Sequence, residues 1–197
     1  MTYVKGVDVS IYQRNVDWAQ LRVDGFQFFY ARACDGSSVD PTHDGHIAAG
    51  RAAGLLGGSY QFGHPSMPVE ALVATFLAKA SIVPGQLRPV IDMETLSEGH
   101  VPENAGEWAD RWCELVKEQT GTEPIIYAST SYWTTMNHLR PSVGGPMGWD
   151  WWAAQYSINP PTSWPWVAWQ NFGDVTLSGQ VGKWDLDVTR DLDALRV

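Results

Sequence analysis

The sequence predicts an α/β barrel of eight mostly parallel strands, and three observations lead there. Strand-like and helix-like segments alternate through the first two thirds of the chain, the order that calls for parallel strands joined by crossover helices. Beyond Ser131 strand-like segments continue while long helical ones stop. The 197 residues, 44% of them hydrophobic, are enough for one core over 1–197. They fall short of the roughly 250 of a barrel with eight full helices, as expected if the last three strands lack them.

In order along the chain, "YVKGVDVS" reads as the first strand. "NVDWAQLRVDG" reads as a helix, with Asn15 as its cap, Trp18 and Leu21 on one face and Gly25 as its stop. "FQFFYARA" is the second strand, "DPTHDGHIAAGRAAG" a helix, and "LLGGSYQF" the third strand. "MPVEALVATFLAKAS" is the clearest helix, since Val69, Leu72, Val73, Phe76, Leu77 and Ala80 keep three-and-four spacing. "RPVIDMET" is the fourth strand. "ENAGEWADRWCELVKEQTG" places Trp108, Trp112, Leu115 and Val116 on one side and ends at Gly121, and "PIIYAS" is the fifth strand. "DWWAAQY", "WVAWQNF" and "KWDLDV" are the last three, with Gly, Pro and Ser in the links between them.

Composition narrows the function. A formal net charge of −9 argues against a nucleic-acid partner, which needs a basic face to displace counterions. No run of about eighteen apolar residues suggests membrane insertion, and no export leader is evident in "MTYVKGVDVS". Cys34 and Cys113 are far apart with no CxxC pairing and read as buried free thiols. Eleven tryptophans crowd toward the last third, where large rings with one polar edge fill cores and also form platforms for sugar faces. His43 and His46 read as surface residues of a solvated helix, and His64 as a residue lining a cleft.

The chemistry lies in the acids. Side chains alternate along a strand, so Asp92 and Glu94 share one face of the fourth strand about 7 Å apart. They stand at its C-terminal end, the rim where barrels of this kind carry their sites. Asp8 takes the equivalent place on the first strand. Asp185 and Asp187 share a face of the last strand, which neighbours the first in a closed barrel, so Asp8 and Asp185 are expected side by side. Crowded carboxylates push one another's pKa upward, keeping one group protonated while a neighbour stays ionised. That is the arrangement glycoside hydrolysis requires.

These residues resemble a known family, the glycoside hydrolase family 25 lysozymes, or Chalaropsis-type muramidases. "GVDVS" followed by "VDW" resembles the family's opening, "ARACDG" its second-strand motif and "GSYQF" its Gly-x-Tyr-His-Phe strand. "PVIDMET" is similar to its Asp-x-Glu strand, "PIIYAS" to its fifth, "WAAQY" and "WQ" to its later strands, and "WDLDV" to its closing Asp-x-Asn. The resemblance implies a flattened, TIM-like (β/α)5(β)3 barrel with about five main helices. It implies cleavage of the β-1,4 bond between N-acetylmuramic acid and N-acetylglucosamine in peptidoglycan, without a cofactor or metal. Carried over by position, Glu94 is the proton donor, Asp92 orients the substrate N-acetyl group or stabilises developing charge, and Asp8 and Asp185 complete the cluster. Tyr60, Phe62, Tyr127, Trp152 and Trp169 are expected to contact sugar rings, and Arg32 to pair with the acids. Gln61 stands where the family has histidine and Asp187 where it has asparagine.

Two other readings compete. A metal-dependent barrel hydrolase, such as a phosphodiesterase, would use the same acids as oxygen ligands, but the chain offers no basic or glycine-rich phosphate site beside them. A non-catalytic glycan-binding barrel would gain nothing from forcing Asp92 and Glu94 together. A wall-degrading enzyme with no leader resembles a phage endolysin, made in the cytoplasm, released to the cell wall and expected to act as a monomer.

Overall fold

A computed structural model describes residues 2–138 and 148–197. The strands are β1 (Val4–Val9), β2 (Phe26–Asp35), β3 (Ser38–Val39), β4 (Leu56–Phe62), β5 (Val90–Asp92), β6 (Ile125–Ser129), β7 (Asp150–Ala154), β8 (Ala168–Val175) and β9 (Trp184–Thr189). The helices are α1 (Trp18–Val23), α2 (His43–Ala52), α3 (Val69–Lys79), α4 (Ala105–Thr120) and α5 (Thr130–His138), and a short 3₁₀ turn at Asp193–Leu195 follows β9. Eight strands close into a barrel in the order β1-β2-β4-β5-β6-β7-β8-β9, and β3 is a two-residue edge strand on β2. Every neighbouring pair in the barrel is parallel except those made by β9, which runs antiparallel to both β8 and β1. No helix among the described residues is long and apolar enough to cross a membrane.

Strand alternation sorts the side chains into two cores. On β2, Phe28 and Tyr30 point into the barrel with Val90, Ile125, Trp152 and Ala168, closed below by Leu87 and Leu195. Gly6 sits opposite Phe28, where a Cβ would come within 2.3 Å of the ring, so only glycine lets that ring fill the barrel at this level. The outward set packs under the helices. Phe76, Trp112, Trp133, Trp151 and Trp169 lie beneath α3, α4 and α5, while Trp18, Leu21, Phe29 and Ile47 lie beneath α1 and α2. Cys34 and Cys113 are buried free thiols in the first of these layers.

Three local expectations are corrected. The cap of α1 is Asp17, whose carboxylate accepts the Gln20 amide at 2.9 Å, and not Asn15. A further helix, α5, follows β6 directly where long helices were expected to stop. His43 and His46 face inward from α2 and are buried: His43 Nε2 meets Ser59 Oγ at 2.8 Å, and His46 Nε2 meets the Ser10 carbonyl at 3.4 Å. Gln61, on the outward face of β4, is also fully buried. Its amide donates to the carbonyls of Gly36 and Leu72 at 2.7 and 3.0 Å, and its oxygen accepts the Trp112 indole N–H at 2.8 Å. It ties β4 to Gly36, α3 and α4 through three bonds, one more than the two nitrogens of a neutral histidine ring could make.

The end of the barrel away from the rim is held by Arg88. Its guanidinium donates to the carbonyls of Glu123, Pro124 and Ala194 at 2.7, 3.2 and 2.9 Å, and to the Asp150 carboxylate at 2.6 Å. One buried cation thus joins the starts of β5, β6 and β7 to the C-terminal turn. Arg88→Met strands three of these acceptors, and a loss of about 2–4 kcal/mol in urea denaturation is expected.

Candidate active site

The barrel opens at the C-terminal ends of its parallel strands into a cavity of about 370 Å³. Asp8, Arg32, Tyr60, Phe62, Asp92, Glu94, Tyr127, Trp152 and Asp185 all line it. β9 delivers Asp185 in an unexpected way. Because β9 runs backwards, its first residues, not its last, lie at the rim, and Asp185 pairs directly across from Asp8. Asp92 closes the register of β5 against Phe62 on one side and Tyr127 on the other.

Glu94 lies two residues beyond β5, and its position depends on the residues around it. The Met93 amide donates to the Tyr127 carbonyl at 2.8 Å, and Met93 itself is buried. Thr95 donates its hydroxyl to the Gly63 carbonyl at 2.6 Å while its own carbonyl accepts the Tyr132 hydroxyl at 2.9 Å. The carboxyl between these anchors stands at the cavity mouth, open to solvent and partly desolvated by the walls.

Each acid is held above its ordinary range. Asp8 is pushed up to about 7, first by burial and then by Asp185, against a hydrogen bond from Gln170 that pulls it down. Burial, Glu94 and Asp8 keep Asp92 well above the usual carboxylate range, against the pull of Arg32. Desolvation and Asp185 raise Glu94, and desolvation raises Asp185. One Asp92 oxygen, Oδ1, is buried without a hydrogen-bond partner among the described residues. The Tyr127 hydroxyl, held far above an ordinary phenol by burial and then by Asp92, stays a donor.

Two side-chain systems brace the acids. On one side the Tyr127 and Tyr156 hydroxyls donate to Gln170 Oε1 at 2.9 and 3.0 Å, and Gln170 Nε2 donates to Asp8 at 2.9 Å. On the other, buried Asp40 accepts the Ile11 amide at 2.9 Å and the Arg32 Nε–H at 3.1 Å. Its second oxygen takes the Thr42 amide and hydroxyl at 2.9 and 2.6 Å. Arg32 also pairs with Asp35 at 3.4 Å and lies under the Tyr12 ring, its carbon 5.6 Å from the centroid. The expectation that Arg32 pairs with the acidic cluster is therefore corrected: its partners are Asp35 and Asp40, and it reaches Asp92 only through its field.

Trp169 does not reach the cavity. It is 1% exposed, donates its indole N–H to the Gln155 carbonyl at 2.8 Å and packs outside the barrel, because alternation on β8 turns Gln170 inward instead. Trp152 does point in, but at 2% exposure it lies against Tyr30 and Tyr127 as part of the floor. The exposed rings at the mouth are Tyr12 and Tyr156, at 79% and 65%, which the sequence reading passed over along with Gln170 and Asp40. His64, expected to line the cleft, is not among the residues lining the cavity; its Nε2–H donates to Asp35 at 2.8 Å.

A barrel whose rim gathers raised carboxyls from three separate strands, beneath exposed aromatic rings, has the layout of an enzyme that hydrolyses glycosidic bonds through paired acids. Comparison with known proteins identifies which one. Residues 7–180 match Glycosyl hydrolases family 25, and the chain belongs to that family. It is 27% identical to an N,O-diacetylmuramidase of Arthroderma benhamiae, over 85% of this chain and 76% of that one. It is 24% identical to Lysozyme M1 of Streptomyces globisporus, over 95% of this chain and 67% of that one. The structure of a muramidase from Trichobolus zukalii superposes with a TM-score of 0.79 at 25% identity, covering 97% and 96% of the two chains. The chain is thus a glycoside hydrolase, and the metal-dependent reading is not favoured. Among the described residues no group of three or more His, Cys, Asp or Glu side chains converges as metal ligands do.

The raised acids make stability depend on pH. Between the ordinary aspartate value and about 7 the folded chain keeps a proton on Asp8 that the unfolded chain has lost. That contribution is complete at low pH and disappears as pH rises through about 7. Asp8→Asn carries no such dependence, so its stability relative to wild type should grow by about 2–4 kcal/mol from about pH 4 to about pH 8, read by urea denaturation at each pH.

Proposed function

We propose that this hydrolase is an N-acetylmuramidase, cleaving the β-1,4 bond between N-acetylmuramic acid and N-acetylglucosamine in peptidoglycan. The observation that carries the reading is Glu94 at the open mouth of the cavity with Asp92 buried behind it and Asp8 and Asp185 across from it. Glu94 has access to a glycosidic oxygen and an environment that retains its proton, so it acts as the general acid. Asp92, which lines the cavity, takes the substrate's N-acetyl group or faces the charge that develops at the sugar carbon. Asp8 and Asp185 stabilise the same positive charge from the opposite wall. The relatives named as muramidases and a lysozyme support the choice of glycan.

Tyr60, Phe62, Tyr127 and Tyr156 form the sugar-facing walls in this reading, and Tyr12, stacked on Arg32, extends them outward. We place the enzyme's action at the cell wall after release from the cell that makes it, as a monomer. Light scattering at working concentration checks the last point.

Glu94→Gln preserves shape and removes the transferable proton. It is expected to fold as wild type by circular dichroism and to lower turbidity clearance of purified cell walls by about 10²–10⁴-fold. Clearance near the wild-type rate would dismiss Glu94 as the acid. Mass spectrometry of wild-type digests should show fragments with reducing muramic acid ends, and reducing glucosamine ends would overturn the bond assignment.

A further inference from the structure

Beneath the catalytic layer lies a fifth carboxyl, Asp187, that the mechanism does not use. It is 1% exposed, and with Asp187 and Asp8 both taken as carboxylates neither of its buried oxygens has a partner of good geometry among the described residues. Its place follows from register: on β9 it pairs with Gly6 of β1 and Gln170 of β8, one inward step below the Asp8 and Asp185 pair. Glycine offers it nothing. Gln170 gives its N–H to Asp8 and its carbonyl to two tyrosines, so that side chain is committed to the layer above.

The groups facing Asp187 are few. From β1 comes Asp8, from β2 the Tyr30 hydroxyl, from β7 the Trp152 indole and from its own strand Asp185. Glu94 acts on Asp8 from the far side of the cavity. Arg88 lies beyond Tyr30 but is bonded to Asp150 and three carbonyls. Ionised, Asp187 could accept from the Trp152 N–H and the Tyr30 hydroxyl, but it would set its charge against Asp8, another acceptor, with no free cation beside it among the described residues. Protonated, it becomes the donor that Asp8 accepts, and its remaining oxygen faces the Trp152 N–H, an indole that itself lacks a partner. The second state still has an oxygen for these donors and also supplies Asp8 with a donor, which the ionised state cannot do.

We propose that Asp187 is a positioning residue that keeps a proton at the barrel floor and donates it as a hydrogen bond to Asp8. Of the two, Asp8 is thereby the one that ionises first as pH rises, and it is oriented toward the cavity. The direction of the effects agrees, since this hydrogen bond lowers Asp8 and raises Asp187, while burial keeps Asp187 well above the usual carboxylate range.

The test is the carboxyl-carbon NMR titration of uniformly ¹³C,¹⁵N-labelled protein, with the Asp187 and Asp8 signals assigned in the wild type by triple-resonance connectivities. In the wild type the Asp187 signal should keep its acid-form shift through neutral pH. A carboxylate shift there overturns the proposal without any variant having to fold. Asp187→Asn retains a neutral donor and should leave the midpoint of Asp8 within a few tenths of its wild-type value. Asp187→Leu removes the donor and should raise that midpoint by about one pH unit. A drop of about one unit or more in the Asn variant would mean that Asp187 is charged, and an unmoved midpoint in the Leu variant would mean that no bond exists; either result overturns the proposal. Wall clearance supplies a second readout, with the acid limb of its pH profile moving upward in the Leu variant. That arm rests on the muramidase reading, whereas the NMR arm does not, so the two can fail separately.

Discussion

The structure depends on mutual repulsion held in place. Asp8, the Asp92 and Glu94 pair, and Asp185 come from three distant points of the chain, and in water the three would separate. Closure of the barrel prevents this, because each is anchored by a strand or, for Glu94, by the bonds of Met93 and Thr95 on either side of it. The unfavourable contact is converted into retained protons, which a hydrolase for glycosidic bonds needs near neutral pH. The apolar layers around the barrel supply the stability that the rim gives up. The contrast with Arg88 is instructive: at the opposite end a lone cation is fully matched to acceptors, and no chemistry is available there.

β9 is the element that makes the site possible. A parallel last strand would have carried Asp185 to the floor, away from Asp8. By reversing, β9 brings Asp185 to the rim and leaves Asp187 one step below, so a single strand supplies a carboxyl to each of two layers. The same reversal extends β8 and β9 beyond the barrel as a hairpin, with Leu186 opposite Phe172 and Trp184 opposite Val175. Of that hairpin, Gln170 and Asp185 line the cavity.

Much of this was legible in the sequence because it follows from local periodicity. Alternation alone put Asp92 and Glu94 on one face, and strand order alone put Asp8 beside Asp185. What escaped had physical reasons. The direction of β9 was legible in principle, since the link between Val175 and Trp184 is too short for a crossover, yet an expectation of parallel strands passed over it. α5 is built from Thr, Tyr and Trp, residues whose local preference is for strands, and packing against the barrel overrides it. In the Trp-Gln pair of β8 one residue must face inward, and size suggested Trp169. Polar partners decided for Gln170, because Asp8, Tyr127 and Tyr156 await it there. His43 and His46 looked like solvated residues because their partners, Ser59 on β4 and Ser10 just past the end of β1, are not brought near by local spacing.

The choice of Gln61 has a consequence for the helical jacket. An amide never changes charge, so the grip of β4 on α3 and α4 is the same in acid as at neutrality. α2 is fastened differently, through two imidazoles that burial holds below their ordinary value and therefore neutral in the fold. As acidity increases past the point where free imidazole charges, the unfolded chain takes up protons that these two sites refuse, and the advantage of keeping α2 docked declines. Acid would therefore loosen the jacket from one side, at the seam behind Ser10, while the seam behind Gln61 stays shut.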